Sequence, residues 1–323
     1  MRRLAITAAL AAVLLTSCFS PGASGPGFRW APPEIRSVDW SDRVAKLHGT
    51  LTVADQFHGN RVYIVHLPED RIVEHYLPFV DVLDACAIPG TDEAYALLTD
   101  GRIVRTGEDL DGPPLYRRKY GFVQGSTISL SPDGRTIVLA AQTEFSESNH
   151  HVPLDFTLID VSSGRASALR CSSDYGRPCW APDGKSIFVV EPEGDILQCP
   201  LAPGEPAHTV ARGSDPVVSE DQNWLIFSSR EMPALMRWKI GTSEEPELLL
   251  RLAGRYLEAL AVDTQSWVIH LSDAEDLLPC ERSGLLMQGP YCRQAISITV
   301  PQPGASVPLF VGMIPTSAQW RWD

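Results

Sequence analysis

The sequence predicts an all-β fold, a six-bladed β-propeller of four-stranded antiparallel blades closed by strands from both termini. Three observations carry that expectation. Past residue 35 the chain is a series of short β-branched and aromatic runs separated by Gly, Pro, Asp and Asn clusters, with almost no stretch at helical period. A strand-turn-strand unit centred on an aspartate recurs, its aspartates spaced by 41, 50, 38 and 42 residues. A second hairpin alternates with the first and occurs six times, and two hairpins per roughly forty residues make one four-stranded blade.

Ahead of the strands lies an export signal. Arg2 and Arg3 precede the apolar run 4–15, which is too short to span a bilayer and is closed by Leu15-Thr16-Ser17-Cys18. Small residues before a cysteine resemble the lipobox of bacterial lipoproteins, which implies cleavage before Cys18 and a diacylglycerol on its thiol. An ordinary signal peptide ending in a chance cysteine is the competing reading. The domain plan is therefore a signal peptide over 1–17, a lipidated cysteine and flexible linker over 18–35, and the propeller over 36–323. The linker reading rests on Ser20-Pro21-Gly22-Ala23-Ser24-Gly25-Pro26-Gly27. Loss of residues 1–17, which hold both arginines and no acid, takes the formal charge from -13 to -15. An acidic chain of this kind argues against nucleic acid as a partner.

Two copies of the first turn are complete. Ser131-Pro132-Asp133-Gly134-Arg135 leads into residues 136–141, and Ala181-Pro182-Asp183-Gly184-Lys185, after Trp180, leads into 186–190. Proline sets φ, aspartate binds nearby backbone N–H groups, and glycine accepts positive φ. Degenerate copies stand at 89–93, 219–223 and 262–266. The second hairpin spans 62–77, 103–116, 156–169, 196–210, 235–250 and 296–310, each with a Gly, Pro, Ser or acidic turn at its middle.

The Pro-Asp-Gly-Lys/Arg turn, preceded in one copy by a tryptophan, resembles the repeats of TolB-like six-bladed β-propellers. By spacing, the resemblance covers residues 36–323, although only the copies at Asp133 and Asp183 keep the full turn. It implies a fold and no activity. TolB itself carries an α/β domain ahead of its propeller, where this chain has a lipid anchor and short linker.

Gln319-Trp320-Arg321-Trp322-Asp323 aligns with Cys179-Trp180-Ala181-Pro182-Asp183. The last residues are thus expected to form an innermost strand that pairs with residues 44–53 and closes the first blade. The segment 38–40 is the competing candidate for that strand.

Six cysteines follow Cys18, and an exported compartment permits disulfides. Cys280 and Cys292 bracket a Gly- and Pro-containing stretch and can close a local loop. Cys171 and Cys179 are a second plausible local pair. Cys86 and Cys199 are left over, as buried free thiols or as a further bridge.

Blade geometry puts the recurring Asp turns on one face. The two long insertions, 142–155 and 272–295, fall on the other, between the second and third strands of the third and sixth blades. His150, His151, Tyr175, Arg255 and Tyr291 border that face and are the candidate binding residues; ordinary polar loop residues are the competing reading.

Catalytic signatures are sparse. Neither G-x-S-x-G nor H-E-x-x-H occurs. Gly184-Lys185-Ser186 resembles the end of a phosphate loop, but Cys179 stands where glycine is needed. Asp109-Leu110-Asp111-Gly112 has calcium-like spacing, yet Pro113 and Pro114 follow and no closing glutamate stands at the loop's end. No catalytic residue, metal or cofactor is assigned. The sequence reads as a monomeric, lipid-anchored envelope propeller that binds an envelope protein or small ligand, on the outer membrane facing the periplasm if the host is diderm. The alternative is a metal-dependent hydrolase or lyase acting on a carbohydrate or lactone.

Overall fold

The structure, a computed structural model, describes residues 29–30, 47–55, 60–69, 71–122, 125–142, 154–173, 175–232, 234–251, 257–263, 268–273, 294–299, 306–312 and 317–322. It is a β-propeller built of antiparallel sheets, with no helix among those residues. The segment β1 (Arg29–Trp30) comes first. The first blade then runs β2 (Gly49–Asp55), β3 (Arg61–Leu67) and β4 (Arg71–Tyr76), its innermost strand coming from the far end of the chain. The second blade is β5 (Val82–Ala87), β6 (Ala94–Leu98), β7 (Arg102–Arg105) and β8 (Tyr116–Arg117). The third is β9 (Thr127–Leu130), β10 (Thr136–Gln142), β11 (Leu154–Asp160) and β12 (Ala166–Ser173). The fourth is β13 (Tyr175–Trp180), β14 (Ser186–Val190), β15 (Asp195–Pro200) and β16 (His208–Arg212). The fifth is β17 (Ser214–Val218), β18 (Trp224–Ser228), β19 (Ala234–Lys239) and β20 (Glu247–Arg251). The last sheet holds β21 (Leu257–Val262), β22 (Val268–Asp273), β23 (Gln294–Thr299) and β24 (Ser306–Gly312), and β25 (Ser317–Arg321) follows it.

The expectation of six four-stranded blades is corrected here: five sheets are four-stranded, and the last has five strands in the order β1-β24-β23-β22-β21. The reason is an edge. The outermost strand β24 would leave a row of backbone N–H and C=O groups unpaired, and β1 pairs with part of it, Arg29 opposite Val311 and Trp30 opposite Phe310. The other seam is as the sequence implied. Strand β25 pairs antiparallel with β2, Trp320 opposite Leu51, while residues 38–40 lie outside the described ones. The fit at this seam is close: a Cβ on Gly49 would lie 2.6 Å from the Arg321 carbonyl oxygen and 2.6 Å from the Trp320 ring.

Packing between blades follows from strand alternation, because each sheet presents one set of side chains to the blade before it and the other to the blade after. Six apolar clusters fill the spaces between neighbouring sheets. In the fourth blade Ile187, Val189, Leu197 and Cys199 meet Val138, Ala140 and Phe156 of the third. Phe188, Val190 and Ile196 meet Leu225, Phe227 and Trp238 of the fifth. Along the axis each innermost strand neighbours the next, β5 beside β9, β9 beside β13, β13 beside β17, β17 beside β21, β21 beside β25 and β25 beside β5.

The Asp turns form as their chemistry demands. The Asp133 carboxylate accepts from the Ser131 hydroxyl at 2.6 Å and from the Arg135 amide at 3.1 Å, with Gly134 at φ +73°. Those two donors, the hydroxyl first, hold Asp133 below the usual carboxylate range. The degenerate copy keeps the scaffold without glycine: Asp221 accepts from Ser219 at 2.5 Å and Asn223 at 3.1 Å, and Gln222 takes φ +61°.

The local pairing of Cys171 with Cys179 is overturned, as is any bridge between Cys86 and Cys199. Cys171 is disulfide-bonded to Cys199, their Cα atoms 6.4 Å apart, and Cys86 and Cys179 are free. The reason is the side of the fourth sheet on which each residue sits. Cys199 packs toward the third blade, as Cys171 does from across the gap, whereas Cys179 packs with Phe188 and Val190 toward the fifth. Burial pushes the Cys179 thiol up to about 12, and burial with the nearby Asp84 carboxylate raises Cys86 as well. The bridge staples neighbouring blades across a separation of 28 residues. Replacing both cysteines by serine is therefore expected to cost about 3.5 kcal/mol in the chain-entropy account. Chemical denaturation of the double variant under non-reducing conditions checks this, and an unchanged midpoint would refute it. Cys280 and Cys292 lie outside the described residues.

Candidate functional site

The sequence-predicted site residues are mostly beyond description: Cys18, His150, His151, Arg255 and Tyr291 lie outside the described residues. Tyr175 opens β13 opposite Val190, which puts its backbone at the crossover end of the strand. What is described are the places from which the insertions depart. Strands β10 and β11 are joined in register as far as Gln142 opposite Leu154, and β22 and β23 as far as Asp273 opposite Gln294. Both insertions thus connect second to third strands.

Backbone bonds fix which loops share a face. The amides of Val161, Leu201 and Ile240, each just after a third strand, donate at 2.9 Å to the carbonyls of Arg135, Lys185 and Asn223 in the Asp turns of the same blades. On the opposite side Gly213, in the crossover after the fourth blade, donates to the Gly194 carbonyl at 2.8 Å, and Leu77 to that of Asn60 at 2.9 Å. The strand ends from which the insertions depart therefore share one face with the crossovers, and the Asp turns lie on the other.

At the axis the structure brings together a group that motif reading missed. Asp84 of β5 is fully buried, at 0% exposure. Its carboxylate accepts from the amides of Ala85 and Ile128, each at 2.8 Å, and from Arg177 Nη2 at 2.9 Å. The Ser317 hydroxyl also donates to it, and Gln319 Nε2 approaches both oxygens at 3.2 and 3.3 Å. Arg177, on β13, donates in turn to the Ala318 carbonyl at 2.7 Å and to the Ser317 hydroxyl. Gln319 reaches the Ile128 carbonyl at 2.9 Å. One carboxylate and one guanidinium thus tie strands from four blades, the first to the fourth, through charge-assisted bonds. The sequence did carry a trace of it: an acid inside the apolar run Val82-Leu83-Asp84-Ala85-Cys86-Ala87.

Beside this cluster runs an axial cavity of roughly 430 Å³, whose lining includes Thr127, Arg177, Asp215, Gln319, Trp320 and Trp322. The Trp320 and Trp322 rings meet edge-on with centroids 5.3 Å apart. The Thr127 hydroxyl and the Trp320 indole N–H are buried without a hydrogen bond inside the protein. A polar ligand atom in the cavity would be able to satisfy them. A larger cleft of about 1080 Å³ opens at the outer edges of the fourth and fifth blades, between His208, Arg212, Trp238 and Glu244. Among the described residues no three His, Cys, Asp or Glu side chains converge as metal ligands would. The Asp109 segment is a turn, Gly112 donating to the Asp109 carbonyl at 2.9 Å and Asp111 to its carboxylate at 3.0 Å.

No protein-family model and no curated protein matches the sequence. Solved structures do. An oligogalacturonate lyase in complex with manganese superposes with a TM-score of 0.54 at 12% identity, covering 77% of this chain and 70% of that one. A putative TolB from Agrobacterium tumefaciens superposes with a TM-score of 0.54 at 13% identity, covering 85% of this chain and 98% of that one. At these identities the likeness concerns the fold.

Proposed function

We propose that this chain is a lipid-anchored cell-envelope propeller that serves as a binding or scaffold module, its five-stranded sheet acting as the sixth blade of the ring. One observation carries the reading: the strand ends from which both long insertions depart stand at equivalent positions of the third and last sheets, on one face of the ring. Meanwhile the charged groups on the axis are spent on holding blades together. A ring whose central carboxylate is buried and ion-paired has little to offer as a general base, whereas a rigid rim with two long loops suits recognition. The partner is an envelope protein or a small ligand.

Shortening residues 143–153 to a tight turn is expected to leave the melting temperature within a few degrees, because β10 and β11 are already paired from end to end. Recovery of partners by crosslinking in cells, read by mass spectrometry, is expected to fall severalfold. Equal recovery from both proteins would move the binding surface to the opposite face.

A second reading, a metal-dependent hydrolase or lyase acting on a carbohydrate or lactone, is supported by the shared fold of the manganese-bound lyase. Metal analysis of the purified protein separates the two, since that reading requires a bound divalent ion at a fixed ratio to protein.

A further inference from the structure

The direction of β1 sets where the tether leaves the ring. Strand β24 begins at Ser306, opposite Thr299 at the Asp-turn end of the sheet, and runs to Gly312 at the crossover end. Strand β1 is antiparallel to it, Arg29 lying opposite Val311 near that far end. Arg29 therefore stands at the rim of the crossover face. Between Cys18 and Arg29 there are eleven Cα steps, at most about 40 Å when taut and on the order of 20 Å as a Gly- and Ser-rich coil.

The same face carries a second, independent feature. Among the described residues the most exposed large hydrophobic side chains are Phe79 at 102%, Tyr120 at 70% and Tyr76 at 59%. Phe79 and Tyr120 lie in the crossovers that leave the first and second blades, and Tyr76 ends β4 at the same level. Phe79 is also held at φ +65°, in the left-handed region that disfavours a bulky side chain. Backbone strain combined with full exposure of an aromatic ring serves no packing purpose, so its use is external. Exposed Arg117 and Lys119 precede Tyr120, the Lys119 ammonium 5.3 Å from the Tyr120 ring centroid, in a chain of net charge -13. Aromatic rings beside basic groups are what an anionic lipid interface takes up.

We propose that the crossover rim beside the first and second blades rests on the lipid surface to which the chain is anchored. This rests on the anchor reading, and supplies the lipid surface as a direct partner of the crossover rim, with Phe79, Tyr120 and Lys119 as its contacts. The Asp-turn face then points into the compartment.

The test uses the full-length acylated protein in vesicles of phosphatidylethanolamine and phosphatidylglycerol that contain a rhodamine-labelled lipid. A donor dye is clicked to an azidophenylalanine at Asp81, on the crossover face, or at Glu108, on the Asp-turn face of the same blade. The two positions stand about 20 Å apart along the strands, and transfer from position 81 is expected to exceed that from 108 roughly twofold. Equal transfer, or an excess from 108, overturns the proposal. Combining Phe79→Gly, Lys119→Glu and Tyr120→Ser is expected to bring the ratio close to one without lowering the melting temperature. An undiminished ratio in that variant overturns the assignment of these contacts. Vesicle flotation of Cys18→Ala tests the anchor separately: flotation equal to wild type defeats the anchor reading, whereas the transfer ratio alone decides the orientation.

Discussion

Deleting residues 317–323 is expected to abolish cooperative folding. Strand β25 supplies the innermost strand of the first blade, and without it β2 presents an unpaired edge to the axis. Trp320 and Trp322 pack against Leu51, Val53, Tyr63 and Ala261, and Ala318 is buried among them. Loss of two tryptophans and an alanine from this cluster removes about 5 kcal/mol of apolar burial. The deletion also takes Ser317 and Gln319 from Asp84, and the Ala318 carbonyl from Arg177. The sum approaches the whole stability of an ordinary domain. The deleted protein should lack a near-ultraviolet circular dichroism signal and be digested rapidly by protease; a cooperative melt within a few degrees of wild type would show that the ring does not depend on this seam.

Arg177→Met is expected to cost about 3 to 5 kcal/mol, the usual penalty for leaving a buried ion without its partner. Asp84 would stay at the axis with its two amide donors, the Ser317 hydroxyl and Gln319 but without the guanidinium that neutralises it. The variant Asp84→Asn in the same background is expected to recover part of the loss, because a neutral amide needs no counter-ion and its single oxygen can still accept from one of the Ala85 and Ile128 amides, which bond to different carboxylate oxygens. Denaturant unfolding of wild type, both single variants and the double variant gives the coupling energy directly. Additive losses would mean that the pair contributes through shape and not through charge.

Local chemistry was the legible part of this protein. Turns at Asp133 and Asp183 announce themselves because Pro, Asp and Gly each have one conformational use there, and Asp221 could be found by spacing despite Gln222 standing in for glycine. The closing strand was legible because Trp320 repeats the position of Trp180. Contacts decided by three-dimensional neighbours were not. The choice of Cys199 over Cys179 as the partner of Cys171 depends on which side of the fourth sheet each thiol occupies, and proximity in sequence favoured the wrong one. Strand β1 comes from a stretch with no strand pattern, and only the free edge of β24 gives it a reason to pair. Asp84 and Arg177 stand 93 positions apart on strands of different blades, so neither carries a local sign of the other.

The pairing of β2 with β25 also has a kinetic meaning. Leu51 and Trp320 are 269 positions apart. Bringing such distant segments together carries a loop-closure entropy of about 5 kcal/mol by the logarithmic law, incurred before the seam gives anything back. Folding should therefore be slow and late-limited, as expected for contacts of high sequence separation. Until its last strand arrives the chain is an open arc of blades. A circular permutant that joins residue 323 to residue 47 through a short linker, and opens the ring between the third and fourth blades, would turn the first-blade seam into a local hairpin. It would move the rate-limiting closure to the new cut, and a substitution at Gly49 would then slow refolding of the natural order more than that of the permutant.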